Sequence, residues 1–184
     1  MHTENTHIKL IQVMLNKSVE QALNNQINAE FWSAYLYLSM SCHFEAQGRP
    51  GVANWFRIQF KEELAHAQIF INYINQRGGK VSLMPIDAVP TEWKDEADAF
   101  RATVEHEEKV TALINDLYAT AEREHDYATR EKLNWFIAEQ VEEEETARQL
   151  LDNYRLIGDN GNGIYQLDRE LAARVYVAPA ILAE

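Results

Sequence analysis

Eleven residues decide what this chain can fold into: the seven glycines and four prolines among its 184 residues. They fall at 48–51, 78–90, 158–163 and 179, so the stretches 1–47, 52–77 and 91–157 contain neither. Proline removes a helical hydrogen bond and clashes with the preceding turn, and glycine costs backbone entropy, so long stretches free of both are what long helices require. An all-β fold, which needs turn residues at short regular spacing, is excluded. The third stretch is longer than an ordinary globular helix. Its natural break is Asp126, an N-cap residue ahead of Tyr-Ala-Thr. Four helices are therefore expected, over about 8–45, 51–77, 94–124 and 127–157. A Gly-rich turn at 158–163, a short fifth helix at 164–174 and an apolar tail at 175–184 follow. The length suits a single domain over 1–184 and can bury a core without disulfides. Cys42, the only cysteine, excludes a disulfide framework or a four-cysteine metal site.

Loop lengths set the topology. The first and second helices, and the third and fourth, are joined by a few residues and so should pack antiparallel. Between the second and third lie roughly 16 residues, which in extended form reach about 50 Å. A 26-residue helix is about 39 Å long. The connection can therefore run back along the whole bundle, leaving those two helices parallel. An all-α, up-down-down-up four-helix bundle with one long crossover is the expected fold class.

Packed helices bury a stripe read at every third and fourth residue. The stripes here are Leu23, Ile27, Glu30, Ala34, Tyr37; Val52, Phe56, Gln59, Glu63, His66, Phe70, Tyr73; Phe100, Thr103, Glu107, Val110, Ile114, Leu117; and Leu133, Phe136, Gln140, Glu143, Ala147, Leu150, Tyr154. Each is apolar except near its midpoint, where a carboxylate interrupts it. Midpoints of an up-down bundle share one height, so Glu30, Glu63, His66, Glu107, Gln140 and Glu143 form one polar layer, with Glu62, Glu139 and Glu142 at its edge.

A single inward glutamate is ordinarily half-solvated, and a single inward histidine is ordinarily a hydrogen-bonded core residue. Four helices interrupted at one level are a different case. Buried carboxylates cost several kcal/mol each when uncompensated, and a bound cation offsets that cost more fully than protonation does. Glu63-Leu-Ala-His66 sets two ligands one turn apart on one helix face. Mostly carboxylate oxygen, one imidazole and no thiolate select iron or manganese over structural zinc or copper. Two cations sharing a carboxylate leave open positions for oxygen chemistry. Glu144 and Glu145, by contrast, read as a charged outer face.

Seventeen Lys and Arg against 29 Asp and Glu leave a net charge of −12, the wrong sign for a nucleic-acid partner and favourable for attracting cations. The uncharged run 31–44 is 14 residues, too short to span a membrane. The beginning, Met1-His-Thr-Glu-Asn, has no basic stretch followed by an apolar one, so no secretory leader is expected and the cytoplasm is the expected compartment.

Asn28-Ala-Glu30-Phe-Trp-Ser-Ala-Tyr-Leu-Tyr37-Leu, Glu62-Glu-Leu-Ala-His66-Ala, His106-Glu107, Trp135-Phe-Ile-Ala-Glu139-Gln140-Val-Glu142-Glu143 and Gly163-Ile-Tyr-Gln-Leu-Asp168-Arg-Glu170-Leu together resemble the ferritins, in particular their prokaryotic non-haem branch. The resemblance spans nearly the whole chain. It implies a ferroxidase subunit of a hollow 24-subunit homo-oligomeric shell that oxidises Fe²⁺ with O₂ or H₂O₂ and stores the ferric mineral. Carried over by position, it implies that Glu30, Glu63 and His66 bind a first iron. Glu63 would bridge to a second iron held also by Glu107, with Gln140 and Glu143 nearby. Glu62, Glu139, Glu142 and Glu143 would hold a third iron, and Tyr37 would stand beside the centre. Glu139-Gln-Val-Glu142 lacks the second Glu-x-x-His of bacterioferritins and rubrerythrins, and Leu64 stands where a bacterioferritin carries its haem-ligating methionine. No haem is expected. The alternative activities are a di-iron peroxidase or a DNA-protecting miniferritin, although the latter builds its site between subunits and lacks a fifth helix. The tail beyond Arg174 matches no ligand motif and is expected to pack against a neighbouring subunit or lie loose.

Overall fold

A computed structural model describes residues 15–183, and all its regular structure is helical. The elements are α1 (Lys17–Ala46), α2 (Pro50–Gln76), α3 (Glu96–Arg123), α4 (Tyr127–Ile157), α5 (Gly161–Ala172) and a final 3₁₀ turn (Ala180–Ala183). This is the expected all-α bundle with a short fifth helix. α1 begins at Lys17 rather than near residue 8, because the Asn16 side chain accepts the Ser18 amide at 2.8 Å and caps the first turn there. The expected helix over 8–14 lies outside the described residues. α5 begins earlier than expected for the same kind of reason: Asn160 accepts the Gly163 amide at 3.0 Å, which draws both glycines into its first turn.

Asp95 and Asp126 cap α3 and α4, accepting the amides of Asp98 and Thr129 at 2.8 and 3.1 Å. The turn between α1 and α2 uses Gly48 at φ +72°, a conformation glycine adopts without strain, and places Pro50 at the start of α2. α1 packs chiefly on α2 and α3 on α4. The crossover runs along α1 in order: Asn24 bonds Lys80 O and Ser82 N, Asn28 bonds Pro85 O, and Ser39 bonds Pro90 O. It therefore climbs back to the height at which α2 began. There Arg49 meets Glu96 at 2.6 Å, tying the starts of the parallel α2 and α3 together.

The core is in two halves. One gathers Tyr37, Phe44, Phe56, Phe100 and Tyr154 with Leu167 and Leu171 of α5. The other gathers Leu23, Ile27, Phe70, Ile74, Ile114, Leu133 and Phe136. Each buried Leu or Phe side chain contributes about 1.5–3 kcal/mol, so the two halves can sustain a costly layer between them. Glu30, Glu63, His66, Glu107, Gln140 and Glu143 occupy that layer, all buried.

The segment after α5 turns back onto α2 of its own chain, which corrects the expectation that it lies loose. Asn54 Nδ2 donates to the carbonyls of Leu171 and Arg174 at 3.2 and 3.0 Å, and Ile181 and Leu182 pack on the second core half.

Candidate metal centre

α2 supplies two groups one turn apart. His66 Nδ1 lies 3.4 Å from Glu63 Oε2, and the imidazole is wedged edge-on against Trp135 and Phe136 of α4, which fixes its plane. α1 supplies Glu30, whose Oε1 accepts the Gln26 amide at 2.9 Å one turn earlier. Ligand atoms of Glu30, Glu63 and His66 all lie within 4.8 Å of one another, and among the described residues they form the one compact acid–histidine group. Glu30 Oε2 and His66 Nε2 are buried with no hydrogen-bond partner. Buried polar atoms are nearly always satisfied, so two orphans in one trio make this group a candidate cation site.

α3 and α4 close the layer. Glu107 accepts the Tyr37 hydroxyl and, at 3.1 Å, the Gln140 amide. Glu143 Oε2 accepts Gln59 Nε2 at 2.8 Å. Burial, then the charge of Glu63, pushes the Glu30 carboxyl well above the usual range. Burial, then Glu107 and Glu143, does the same to Glu63. Glu143 is pushed up to about 8 by burial and then by Glu107. Burial and the nearby Glu107 raise the Tyr37 phenol, so it stays a protonated donor. Each of these carboxyl shifts disfavours the ionised carboxylate, a cost that a bound cation would offset.

The edge residues are less tightly gathered. Glu62 is mostly buried and pairs with Arg174 at 2.8 Å, Glu139 is half-buried, and Glu142 is exposed. Among the described residues, no compact metal-ligating group includes them. Several supporting residues had no role assigned from sequence. Gln26 stands one helical turn from Glu30, and that spacing was a usable signal. Gln59 lay on the α2 stripe. Ser33, whose Oγ is 2.8 Å from His106 Nε2 and so helps seat the residue beside Glu107, carried no signal. Nor did Arg174, 112 residues from its partner Glu62.

A crossover bundle with an oxygen-rich, single-imidazole cluster at mid-height is the architecture of carboxylate metal-binding bundles. The chain belongs to the ferritin family: the ferritin-like domain profile matches residues 20–157. It is 42% identical over 161 residues to the bacterial non-heme ferritin of Bacteroides fragilis (strain 638R), covering 88% of this chain and 100% of that one. Its identity to the bacterial non-heme ferritin of Staphylococcus haemolyticus (strain JCSC1435) is 38% over 163 residues, covering 89% and 98% of the two chains. Among solved structures it is similar to the open-pore ferritin of the hyperthermophilic archaeon Archaeoglobus fulgidus, with a TM-score of 0.86 and 43% identity, covering 88% and 99%.

Proposed function

We propose that the protein is an iron-storage ferritin whose bundle oxidises Fe²⁺ and whose assembled shell holds the ferric product. The observation that carries this reading is the trio Glu30, Glu63 and His66, buried, mutually within 4.8 Å, and left with two unpartnered ligand atoms. Iron is the substrate. Glu30, Glu63 and His66 bind one Fe²⁺, and Glu63 with Glu107 binds a second, with Gln140 and Glu143 beside them. The two ions give up one electron each. Those two electrons, with two protons, reduce O₂ to H₂O₂ or H₂O₂ to two waters. Anionic oxygen ligands favour Fe³⁺ over Fe²⁺, which drives the electrons toward the oxidant. Gln26 orients Glu30, while Tyr37 and Gln140 orient Glu107, so the ligands need little reorganisation. The outer carboxylates Glu62, Glu139 and Glu142, with Glu143, take a third iron.

Assembly into a homo-oligomeric shell of 24 subunits is part of this proposal. An exposed apolar strip on the crossover supports it: Leu83 is 70% exposed, Met84 38% and Ile86 47%. Such a strip is normally covered in an oligomer. No described helix is long and apolar enough to cross a membrane. Anaerobic Fe²⁺ titration followed by stopped-flow oxidation tests the site, with about two or three irons per chain and fast oxidation on mixing with oxidant expected. No bound iron would end the reading. Particle size in solution tests the shell.

A further inference from the structure

After α5 the chain puts a positive charge on the outer carboxylates. The guanidinium of Arg174 lies over the Trp55 ring, 5.1 Å from its centroid. Its Nη2 donates to Glu62 Oε2 at 2.8 Å and its Nη1 to Gln59 Oε1 at 2.6 Å. Gln59 is fully buried and has one acceptor end and one donor end. With Arg174 on the acceptor end, only the amide NH₂ can face Glu143, and it does so at 2.8 Å. One side chain thus addresses two carboxylates, Glu62 directly and Glu143 through Gln59.

The strap that carries Arg174 is anchored on both sides. Asn54 holds the Arg174 carbonyl at 3.0 Å, and two residues later Tyr176 stacks under Lys61, with Nζ 5.8 Å from its ring centroid. A side chain held this way is a cation of fixed position, preorganised by its planar fork and its aromatic bed. Its contacts on Glu62 use oxygen that a metal ion would also need, and two cations on one carboxylate repel.

We propose that Arg174 is a tethered counter-cation of the outer carboxylates, a positioning residue that competes with a third metal ion for Glu62 and, by way of Gln59, for Glu143. The third iron then binds only as Arg174 swings off Glu62, and Gln59 is released to turn its amide. The pair at Glu30, Glu63, His66 and Glu107 fills without this movement, so the strap orders the filling: inner pair first, outer ion last. This rests on the metal-binding reading above.

Zn²⁺, which is redox-inert, separates the two ideas without reference to turnover. Calorimetric titration of the assembled wild-type protein should show inner-pair binding and a weaker outer event. Arg174→Gln should tighten the outer event about tenfold, the size of one partly screened charge contact, and leave the inner events unchanged. Arg174→Lys, which keeps the charge without the fork, should tighten it less. Crystals of the wild-type protein soaked in Zn²⁺ should show Arg174 displaced from Glu62 wherever the outer ion is present. An unchanged outer affinity in Arg174→Gln overturns the proposal, as does an outer ion bound with Arg174 still on Glu62. The soaked crystals decide the matter even if the variants fail to assemble. Absence of Zn²⁺ from Glu30, Glu63 and His66 in both proteins would instead sink the metal centre, and this inference with it.

Discussion

The carboxylate of Asp168 in α5 accepts the backbone amide of Val52, in the first turn of α2, at 3.0 Å, and takes the Gly51 amide at the same distance. Arg49, the residue in the N-cap position of α2, makes no side-chain cap. The fifth helix therefore supplies the cap that α2 lacks, and satisfies amides that a helix start leaves open. Contact is close enough that a Cβ on Gly51 would sit 1.6 Å from the Asp168 carbonyl oxygen.

Asp168→Ala should lower stability by about 1 kcal/mol, as loss of a helix cap typically does, while Asp168→Asn keeps an acceptor and should recover most of it. Gly51→Ala should do more damage, because backbone rather than a flexible side chain must move, and α5 should come away from α2. Thermal unfolding of the three variants checks this. A wild-type melting temperature for Asp168→Ala would show that the cap contributes nothing.

The second prediction concerns pH. Burial alone would raise the Asp126 carboxyl, but the Arg77 guanidinium, 3.0 Å away, and the Thr129 amide outweigh it and hold it below its usual range. The unfolded chain then binds this proton more readily than the folded one. The stabilisation is complete above the ordinary carboxylate pKa of about 3.9 and is lost as the pH falls through the depressed folded value. Asp126→Asn retains the helix cap and loses only the charge. Its melting temperature should fall short of wild type at neutral pH, and the gap should close as the pH falls below about 4 and through the depressed folded value. A gap that persists unchanged in acid would assign the effect to the cap and not to the charge.

Much of this molecule was legible in the sequence because helices answer to local rules. The breakers at 48–51 and 158–163 and the cap at Asp126 announce where helices stop. Stripes broken by Glu30, Glu63, Glu107 and Glu143 announce a polar layer, and the two halves of the core lie on either side of it. The start of α1 was misread because no breaker precedes it, and only the Asn16 side chain stops it. The tail was illegible for a different reason. Its partners, Asn54, Gln59 and Glu62, lie more than a hundred residues earlier, and no periodicity links an arginine after α5 to a carboxylate in α2. The same holds for the bond between Tyr37 and Glu107: both positions stood on stripes, but their pairing is a product of packing.

Glu63→Ala is the most direct test of the centre. Outer-shell partners alone are worth about 10–100-fold in metal affinity or activity, so deleting the shared ligand should slow Fe²⁺ oxidation by more than about 100-fold. Stability should survive. Glu63 stands among Glu107, Glu143 and Glu62, each of which raises its pKa, so its removal relieves repulsion as well as leaving a gap. Stopped-flow oxidation beside circular dichroism melts separates the two effects. Fast oxidation in a folded variant would take Glu63 out of the centre.

Tyr37→Phe separates orientation from ligation. The ring stacks on Phe56 with centroids 6.0 Å apart, and phenylalanine keeps that packing. What it loses is the hydroxyl that donates to Glu107, leaving that carboxylate the Gln140 amide at 3.1 Å. A buried acceptor that loses one donor costs about 1–3 kcal/mol, so the metal-free variant should melt below wild type. The trio Glu30, Glu63 and His66 does not involve Tyr37, so its first Fe²⁺ should bind with near wild-type affinity. A second ion held by Glu107, as proposed, should bind several-fold more weakly, and oxidation should slow without vanishing. Anaerobic titration resolves the two binding events and stopped-flow absorbance gives the rate. If the second event is unmoved while stability drops, Tyr37 serves the core alone. A loss of the first event instead would mean that Glu107 and the trio act as one coupled unit, and that the layer cannot be divided into separate ligand sets.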